Sequence, residues 1–591
     1  MKYRWTPALP QSALANDLVR ALQISPLLAQ CLLNRGFRDL EPIRRFLYPR
    51  LKNLSDPFLL ANMAVAVDRL YQGRERNEPL VIFGDYDVDG VTATALLHEV
   101  LTGLGWKVHH YLPHRREEGY GLSQAAVENC LQRFPVTLLL AVDCGSTSNA
   151  VIQSLRERGV EVIVLDHHQI SDPPPPALAL VNPRLAVPAS PEVAQDKAVR
   201  AEAKNHHPAN DFTELCSAGL AFKLAHALVK RGREVGLTAA AEFDLKLCLD
   251  LTALGTIADL VPLVGENRML VNIGLQRLND TRRPGLLALM EVAGIRNAVG
   301  GYEVGFQLAP RLNAAGRMET AEAALQLLMA RDQAEAEPLA RSLDAQNRER
   351  QQIERQMIEE VLATIRPRFN PQTDYVIVEG QPSWHLGVVG IVASRVLQEF
   401  HRPTLILGGD GSEWRGSGRS IEGFDLAGAL GQCDDVLIRH GGHAMAAGVT
   451  LLPDNLDLLR RRLNELARQF LTPEQLQPNL RLDAEVSLSE LTLERVRELA
   501  LLQQTGIGNP PVQLFTRRVT SARPLQRMGT NGKHARLWIG QGRTVIPAVL
   551  WSPGESPLPN GTFDLAFVPQ INEFKGNTSV QLRILDWRPS A

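Results

Sequence analysis

The stretch Leu80-Val81-Ile82-Phe83-Gly84-Asp85-Tyr86-Asp87-Val88-Asp89-Gly90 sets three carboxylates at alternate positions directly behind a short apolar run. Such a run is strand length, and an unbroken apolar strand is one buried on both faces. Gly84 and Gly90 allow tight turns, so Asp85, Asp87 and Asp89 can converge beyond the strand end. A D-x-D-x-D-G pattern also occurs in calcium loops. An EF-hand, however, follows a helix and needs Glu at its twelfth position, which here is Leu96.

Further apolar runs at Lys107–Leu112, Thr137–Val142 and Val160–Leu165 alternate with amphipathic helical stretches. This is the βαβ rhythm of a parallel sheet covered on both faces. Asp143 ends one run and Asp166-His167-His168 ends the next; Asp259 lies in Leu254–Pro262. Open parallel sheets form their sites outside the carboxyl ends of the strands, and three of these four acidic clusters fall there. One Asp after a strand is commonly a turn or helix cap. Four clusters together point to a pair of divalent metal ions and to hydrolysis of phosphate esters.

The chain has 591 residues, which implies several domains. Residues 1–75 read as short helices broken by prolines, and 76–330 as the parallel-sheet domain. A polar, Ala-rich insertion is expected at about 185–214. A long charged helix, 331–370, should join this lobe to a smaller α/β domain at 371–470. Residues 471–591 comprise a helical linker and short alternating strands that suit a small barrel.

The net charge of −2 leaves nucleic-acid binding to local patches. Pro511–Leu550 is such a patch: seven Lys or Arg, among them Arg517, Arg518, Lys533 and Arg536, and no Asp or Glu. Phe515 and Trp538 lie among them, as single-strand binding by an OB-fold would use, although core packing is the commoner role for one aromatic in an alternating strand. The six scattered cysteines form no C-x-x-C pair, which argues against structural zinc and disulfides and suits a cytoplasmic location. No signal peptide or bilayer-length apolar stretch is found.

The four acidic segments resemble the motifs of the DHH phosphoesterase superfamily, and their surroundings resemble its RecJ branch of single-strand-specific 5′→3′ exonucleases. That resemblance implies that Asp85 and Asp87 serve one metal, Asp89 the other, and Asp143 both. His167 and Asp259 would complete the second site, with His168 facing the scissile phosphate. Asp166 is expected to orient His167 or a neighbour. Two ions are implied, Mn2+ foremost and Mg2+ as the alternative, in keeping with oxygen ligands and few imidazoles. In Arg415–Ser420, Ser417 and Arg419 would hold the 5′ phosphate, joined by Arg115. The motif Gly441–Gly448, with His443, resembles the glycine-rich motif of the DHH-associated domain. Arg311 and Arg317 would contact phosphates, although arginines there also serve as ion-paired structural residues. The implied partners are single-stranded DNA with a 5′ end, a single-stranded-DNA-binding protein and a recombination helicase, and the protein itself is expected to be a monomer.

Two other readings compete: a DHH enzyme for small substrates, such as an oligoribonuclease or nucleotide phosphatase, and a non-catalytic scaffold. The basic barrel opposes the first. The full set Asp85, Asp87, Asp89, Asp143, His167, His168 and Asp259 opposes the second.

Overall fold

In the computed structural model, which describes residues 3–114, 117–119, 121–185, 212–318, 320–409, 411–529, 532–552, 559–574 and 576–590, the Leu80–Phe83 run is a strand with every side chain buried. It lies second in a five-stranded parallel sheet, between Val108–Tyr111 on one side and Leu138–Val142 on the other; Glu161–Leu165 and Ala179–Val181 follow. The alternation is visible in the packing. Leu80, Ile82, Leu138, Leu140, Ile163 and Leu165 enter one core, while Val81, Phe83, Leu139, Ala141, Val162 and Val164 enter the core on the other face. The connection first steps to one side of Leu80–Phe83 and then crosses to the other. The loops after Leu80–Phe83 and Leu138–Val142 therefore flank the topological switch point, where such sheets place their ligands.

Two compact units divide the chain. One is Glu41–Arg348 with Gln504–Pro510; the other is Met1–Leu40, Glu349–Gln503 and Pro511–Ala591. The first holds the parallel sheet and the helices Val88–Gly103, Ser217–Glu234 and Leu249–Ala258. Lys223, in the middle of the Ser217–Glu234 helix, is wholly buried; it pairs with the equally buried Glu266 (2.9 Å) and donates to the Ser55 carbonyl (2.7 Å). The long helix runs Gln333–Ile365 with Pro338 near its start, and the division between the units falls within it.

The second unit contains a five-stranded sheet, in the order Arg439–His443, Ala446–Leu451, Trp414–Arg419, Thr404–Gly408, Ile377–Gln381. It also contains a seven-stranded sheet that closes on itself where Leu514–Ser521 meets His534–Gln541. Residues 1–75 do form short helices, among them Ser12–Leu22, Pro26–Asn34, Leu40–Leu47 and Met63–Glu75, but they do not make one segment and they include a strand. Arg4–Pro7 is a strand paired parallel with Asn479–Leu482, and Trp5 packs edge-on against Phe515 (centroids 6.2 Å apart) while its Nε1 donates to Asp586 (2.9 Å). The first forty residues thus group with the barrel and the rest of that segment with the parallel sheet. A four-residue strand whose partner lies hundreds of residues away leaves no local signature. The expected insertion falls almost wholly outside the described residues. No helix among the described residues is long and apolar enough to cross a membrane.

Candidate active site

The acidic loop after Leu80–Phe83 is held by its own helix. Asp87 is the N-cap of Val88–Gly103, its Oδ1 accepting from the N–H groups of Asp89 (2.9 Å) and Gly90 (3.2 Å). The helix start lies so close to the loop that a Cβ on Gly90 would stand 2.6 Å from the Asp85 carbonyl oxygen. Glycine is needed there for lack of space. Asp143 adopts a left-handed backbone (φ 65°), which costs a non-glycine residue free energy, and its N–H donates to the Leu165 carbonyl (3.0 Å). Asp259 closes the Leu249–Ala258 helix at its carbonyl end, where the helix dipole favours a cation.

These residues converge. Ligand-capable atoms lie within 4.8 Å of one another in three groups: Asp85, Asp87 and Asp143; Asp89, His167 and Asp259; Asp143, His167 and His168. Asp143 is thus common to two groups. His167 Nε2 lies 3.4 Å from Asp143, 3.6 Å from Asp259 and 3.8 Å from Asp89. Both His167 Nε2 and Asp259 Oδ2 are buried without a hydrogen-bond partner among the described residues. Ligand atoms about 2.1 Å from a shared octahedral ion stand about 3 Å apart, so the distances around His167 Nε2 are slightly wider than those of a metal shell.

The electrostatics say the same. Burial, then the Asp87 charge, lifts the Asp89 pKa to about 6, and burial, then Asp89, lifts Asp259 to about 9. Asp143 is also raised well above the carboxylate range, by burial and then by Asp89 and its acidic neighbours. Burial, then His168, lowers His167 to about 4, which keeps its imidazole neutral and able to ligate. Carboxylates that burial and mutual repulsion both disfavour, around a neutral imidazole, fit a site for divalent cations.

Asp166 is arranged differently. Its Oδ1 accepts from the His167 and His168 N–H groups and contacts His168 Nδ1 (2.8 Å), while Oδ2 accepts from the Ser146 N–H (3.0 Å). Burial opposes its ionisation, but the bonds and charge of His168 outweigh burial and hold its pKa below the usual range. Burial likewise lowers the His168 pKa, but the Asp166 contact more than reverses this and raises it. Asp166 therefore orients the His168 ring.

Sequence reasoning missed Ser217. At the start of its helix, the Ser217 and Ala218 N–H groups donate to the two oxygens of Asp89 (2.7 and 2.8 Å), and Ser217 Oγ donates to Asp143 (2.9 Å). A serine opening a helical pattern was the available signal. Also missed were Asn182 and Arg184, which donate to the carbonyls of His168 (2.9 Å) and His167 (2.8 Å).

The expected phosphate contacts divide. Arg115 lies outside the described residues. Arg311 pairs with Asp344 (2.9 Å) and donates to the Gln307 carbonyl (2.6 Å). Arg317 is half-buried on the same helix. In the other unit, sheet register sets Ser417 and Arg419 on one face; Ala446 pairs with both Arg419 and His443, and Gly448 pairs with both Ser417 and Gly441. Paired residues share a face, so Ser417, Arg419 and His443 stand over a floor of Gly441 and Gly448 that carries no side chains. Arg419 donates to Ser417 Oγ (2.8 Å) and the Gly418 carbonyl (2.7 Å). Burial alone lowers its pKa, and among the described residues no carboxylate charge offsets it. A mostly buried guanidinium without a counter-charge is suited to an anion.

On the barrel, Trp538 points away from the side chains of Ala535, Leu537 and Ile539, which fill the core; it is half-buried, with Arg523 over its ring (5.6 Å). Core packing is the role of Phe515 instead, which is 3 % exposed. Arg517 and Arg518 are exposed at a bulge, Arg517 pairing with Glu485 (3.2 Å); Lys533 is exposed and Arg536 half-buried.

Comparison with known proteins gives matches to the DHH family N-terminal domain over residues 79–256, the DHHA1 domain over 373–469 and the RecJ OB domain over 482–586. The chain is 36% identical to the single-stranded-DNA-specific exonuclease RecJ of Bacillus subtilis (strain 168), over 99% of this chain and 71% of that protein. It is 34% identical to the protein of that name in Escherichia coli (strain K12), over 95% and 96%. The structure of RecJ from Thermus thermophilus in complex with Mn2+ superposes with a TM-score of 0.81 at 32% identity, covering 100% of this chain and 80% of that one; its Mg2+ complex gives 0.74 at 30%, covering 100% and 79%. With these domains in this order and this identity over nearly its whole length, the chain belongs to the RecJ family of DHH phosphoesterases.

Proposed function

We propose that the protein is an exonuclease specific for single-stranded DNA, hydrolysing phosphodiester bonds from a 5′ end to release 5′-mononucleotides. The observation that carries this is the convergence of five carboxylates and two imidazoles at the switch point of the sheet. Asp85, Asp87 and Asp143 would hold one divalent ion, and Asp89, His167 and Asp259 the other, with Asp143 reaching both. Mn2+ suits a donor set that includes imidazole, and Mg2+ is the alternative. When bound, such ions supply a hydroxide nucleophile near neutral pH and charge stabilisation at the phosphate.

The chain's own residues do the rest. Ser217 and Ala218 fix the Asp89 carboxylate, and Asp166 holds the His168 ring by Nδ1. The raised pKa of His168 favours an imidazolium that donates to a phosphate oxygen as charge develops there. Arg419, Ser417 and His443 form a phosphate-binding face that would recognise a 5′ end. Trp538, with the basic residues around it, offers a stacking and phosphate-contacting surface. Natural partners are proteins that generate or hold single strands, a helicase and a single-stranded-DNA-binding protein, in the cytoplasm.

The test is degradation of single- and double-stranded DNA labelled at either end, with Mn2+. Labelled mononucleotide should appear at once from 5′-labelled single strands and late from 3′-labelled ones. Early release from the 3′ label would overturn the polarity, and equal attack on duplex the strand preference. Arg419→Ala should raise the KM of a 5′-phosphorylated strand about tenfold, as loss of a charge-assisted contact predicts, and that of a 5′-hydroxyl strand far less. Equal losses on both would rule out a 5′-phosphate subsite at this face.

A further inference from the structure

The helical run Gly301–Met318 contains a π turn, Val304–Leu308, with a local cause. Pro310 cannot donate to the Phe306 carbonyl, and in a regular helix its ring would press against that oxygen. The turn widens instead, and the Ala309 N–H donates to the Val304 carbonyl. On this segment Tyr302 and Phe306 are 63% and 69% exposed, and their rings stack on each other (centroids 5.0 Å apart, 28° between planes). Two stacked aromatic faces left open to water are an unusual use of residues that cores and interfaces normally bury.

The segment is tied to the metal-binding loops. A Cβ on Gly305 would touch Ile257 at 4.0 Å, two residues before Asp259, and Asn313 Oδ1 accepts from the Val88 N–H (3.2 Å) at the start of the acidic helix. Its charges are ordered as well. The Glu303 carboxylate turns back to accept from the Gly300 N–H (2.8 Å). Arg311 and Arg348 share one carboxylate, Asp344 (2.9 and 2.7 Å), which leaves a net positive group, and Arg311 also donates to the carbonyl of Gln307, the residue after Phe306.

We propose that Tyr302 and Phe306 form a ledge on which bases of single-stranded DNA stack close to the site of hydrolysis, with the Arg311–Asp344–Arg348 group attracting the adjoining phosphates. The proposal rests on the nuclease reading above. Flat π-faces beside net positive charge match a single strand of any sequence, whose every base has a face to stack.

The test compares a 5′-phosphorylated oligothymidylate with an abasic oligomer of the same length, using the full chain with Mn2+. Tyr302→Ala and Phe306→Ala should each raise the oligothymidylate KM about tenfold and change kcat less than about twofold, as loss of one stacking contact predicts. The abasic oligomer should bind weakly to the parent protein and no more weakly to the variants. Phe306→Trp should restore KM, with its fluorescence quenched by oligothymidylate and not by the abasic strand. If the parent protein degrades the oligothymidylate and the alanine variants match it in KM, the ledge is refuted while the nuclease reading stands. The ledge is equally refuted if the variants change self-association or protein binding alone. If the parent protein degrades neither strand, the nuclease reading fails and takes the ledge with it.

Discussion

Asp143→Asn should lower the rate of single-strand hydrolysis by on the order of 10^3-fold or more, about 4 kcal/mol of transition-state stabilisation, with the fold retained. The substitution keeps the size of the side chain and its acceptor oxygen for Ser217 Oγ, so the packing around it is preserved. It removes the charge from the one carboxylate that belongs to both the Asp85–Asp87 group and the His167–His168 group. Without metal the variant should be more heat-stable than the parent, because burial and neighbouring acids oppose the Asp143 charge. Activity against end-labelled single strands and metal-free thermal unfolding together decide the matter. Parent-like turnover in the variant would sink the two-ion assignment, and a less stable metal-free fold would show that Asp143 is structural.

Chelation should abolish hydrolysis, and Mn2+ should restore it together with a pH-dependent gain in stability. Asp89, Asp259 and Asp143 all have folded-state pKa values above the ordinary carboxylate value of 3.8. The folded state therefore binds protons more tightly than the unfolded chain. The contribution of these groups to metal-free stability is full below about pH 4 and is lost as pH rises, through about 6 for Asp89 and about 9 for Asp259. A divalent ion must displace those protons, so its affinity strengthens over the same window. His167, neutral above about pH 4, offers no competing proton. At about a hundredfold excess over its Kd, the ion should stabilise the folded state by about 2.7 kcal/mol. Thermal unfolding with and without Mn2+ between pH 5.5 and 8 is the measurement, and the difference between the two curves cancels acid effects elsewhere in the chain. A difference that stays flat with pH would show that these carboxylates do not hold the ions.

Much of the site was legible because its residues follow strands. An apolar run of four or five residues with Asp at its end or one glycine beyond announces both the strand and the side chain at its carboxyl end, and Leu80–Phe83, Leu138–Val142 and Val162–Leu165 read this way. Asp87 shows how two readings of one residue can both hold, since it caps a helix and joins an acidic group. The aromatic residues were harder. Phe515 and Trp538 sit in similar alternating runs, and only the sheet decides which faces the core.

What the sequence alone determined is local in cause: the parallel βαβ core, the acidic loops, the long charged helix, the basic barrel and the membership of the RecJ family that these motifs signal. Burial periodicity and turn chemistry are written over a few consecutive residues, so they survive without coordinates. The tertiary structure alone decided what depends on distant partners. Arg4–Pro7 became a strand because Asn479–Leu482 was there to pair with it. Asp166 went to His168 through the turn after its strand, and Arg311 went to Asp344 across two helices. Ser217 reached Asp89 and Asp143 because a helix start happened to face the switch point of the sheet. Hydrogen bonds and ion pairs reach only about 3–4 Å, so which groups form them is settled by packing between elements and not by the order of residues along the chain.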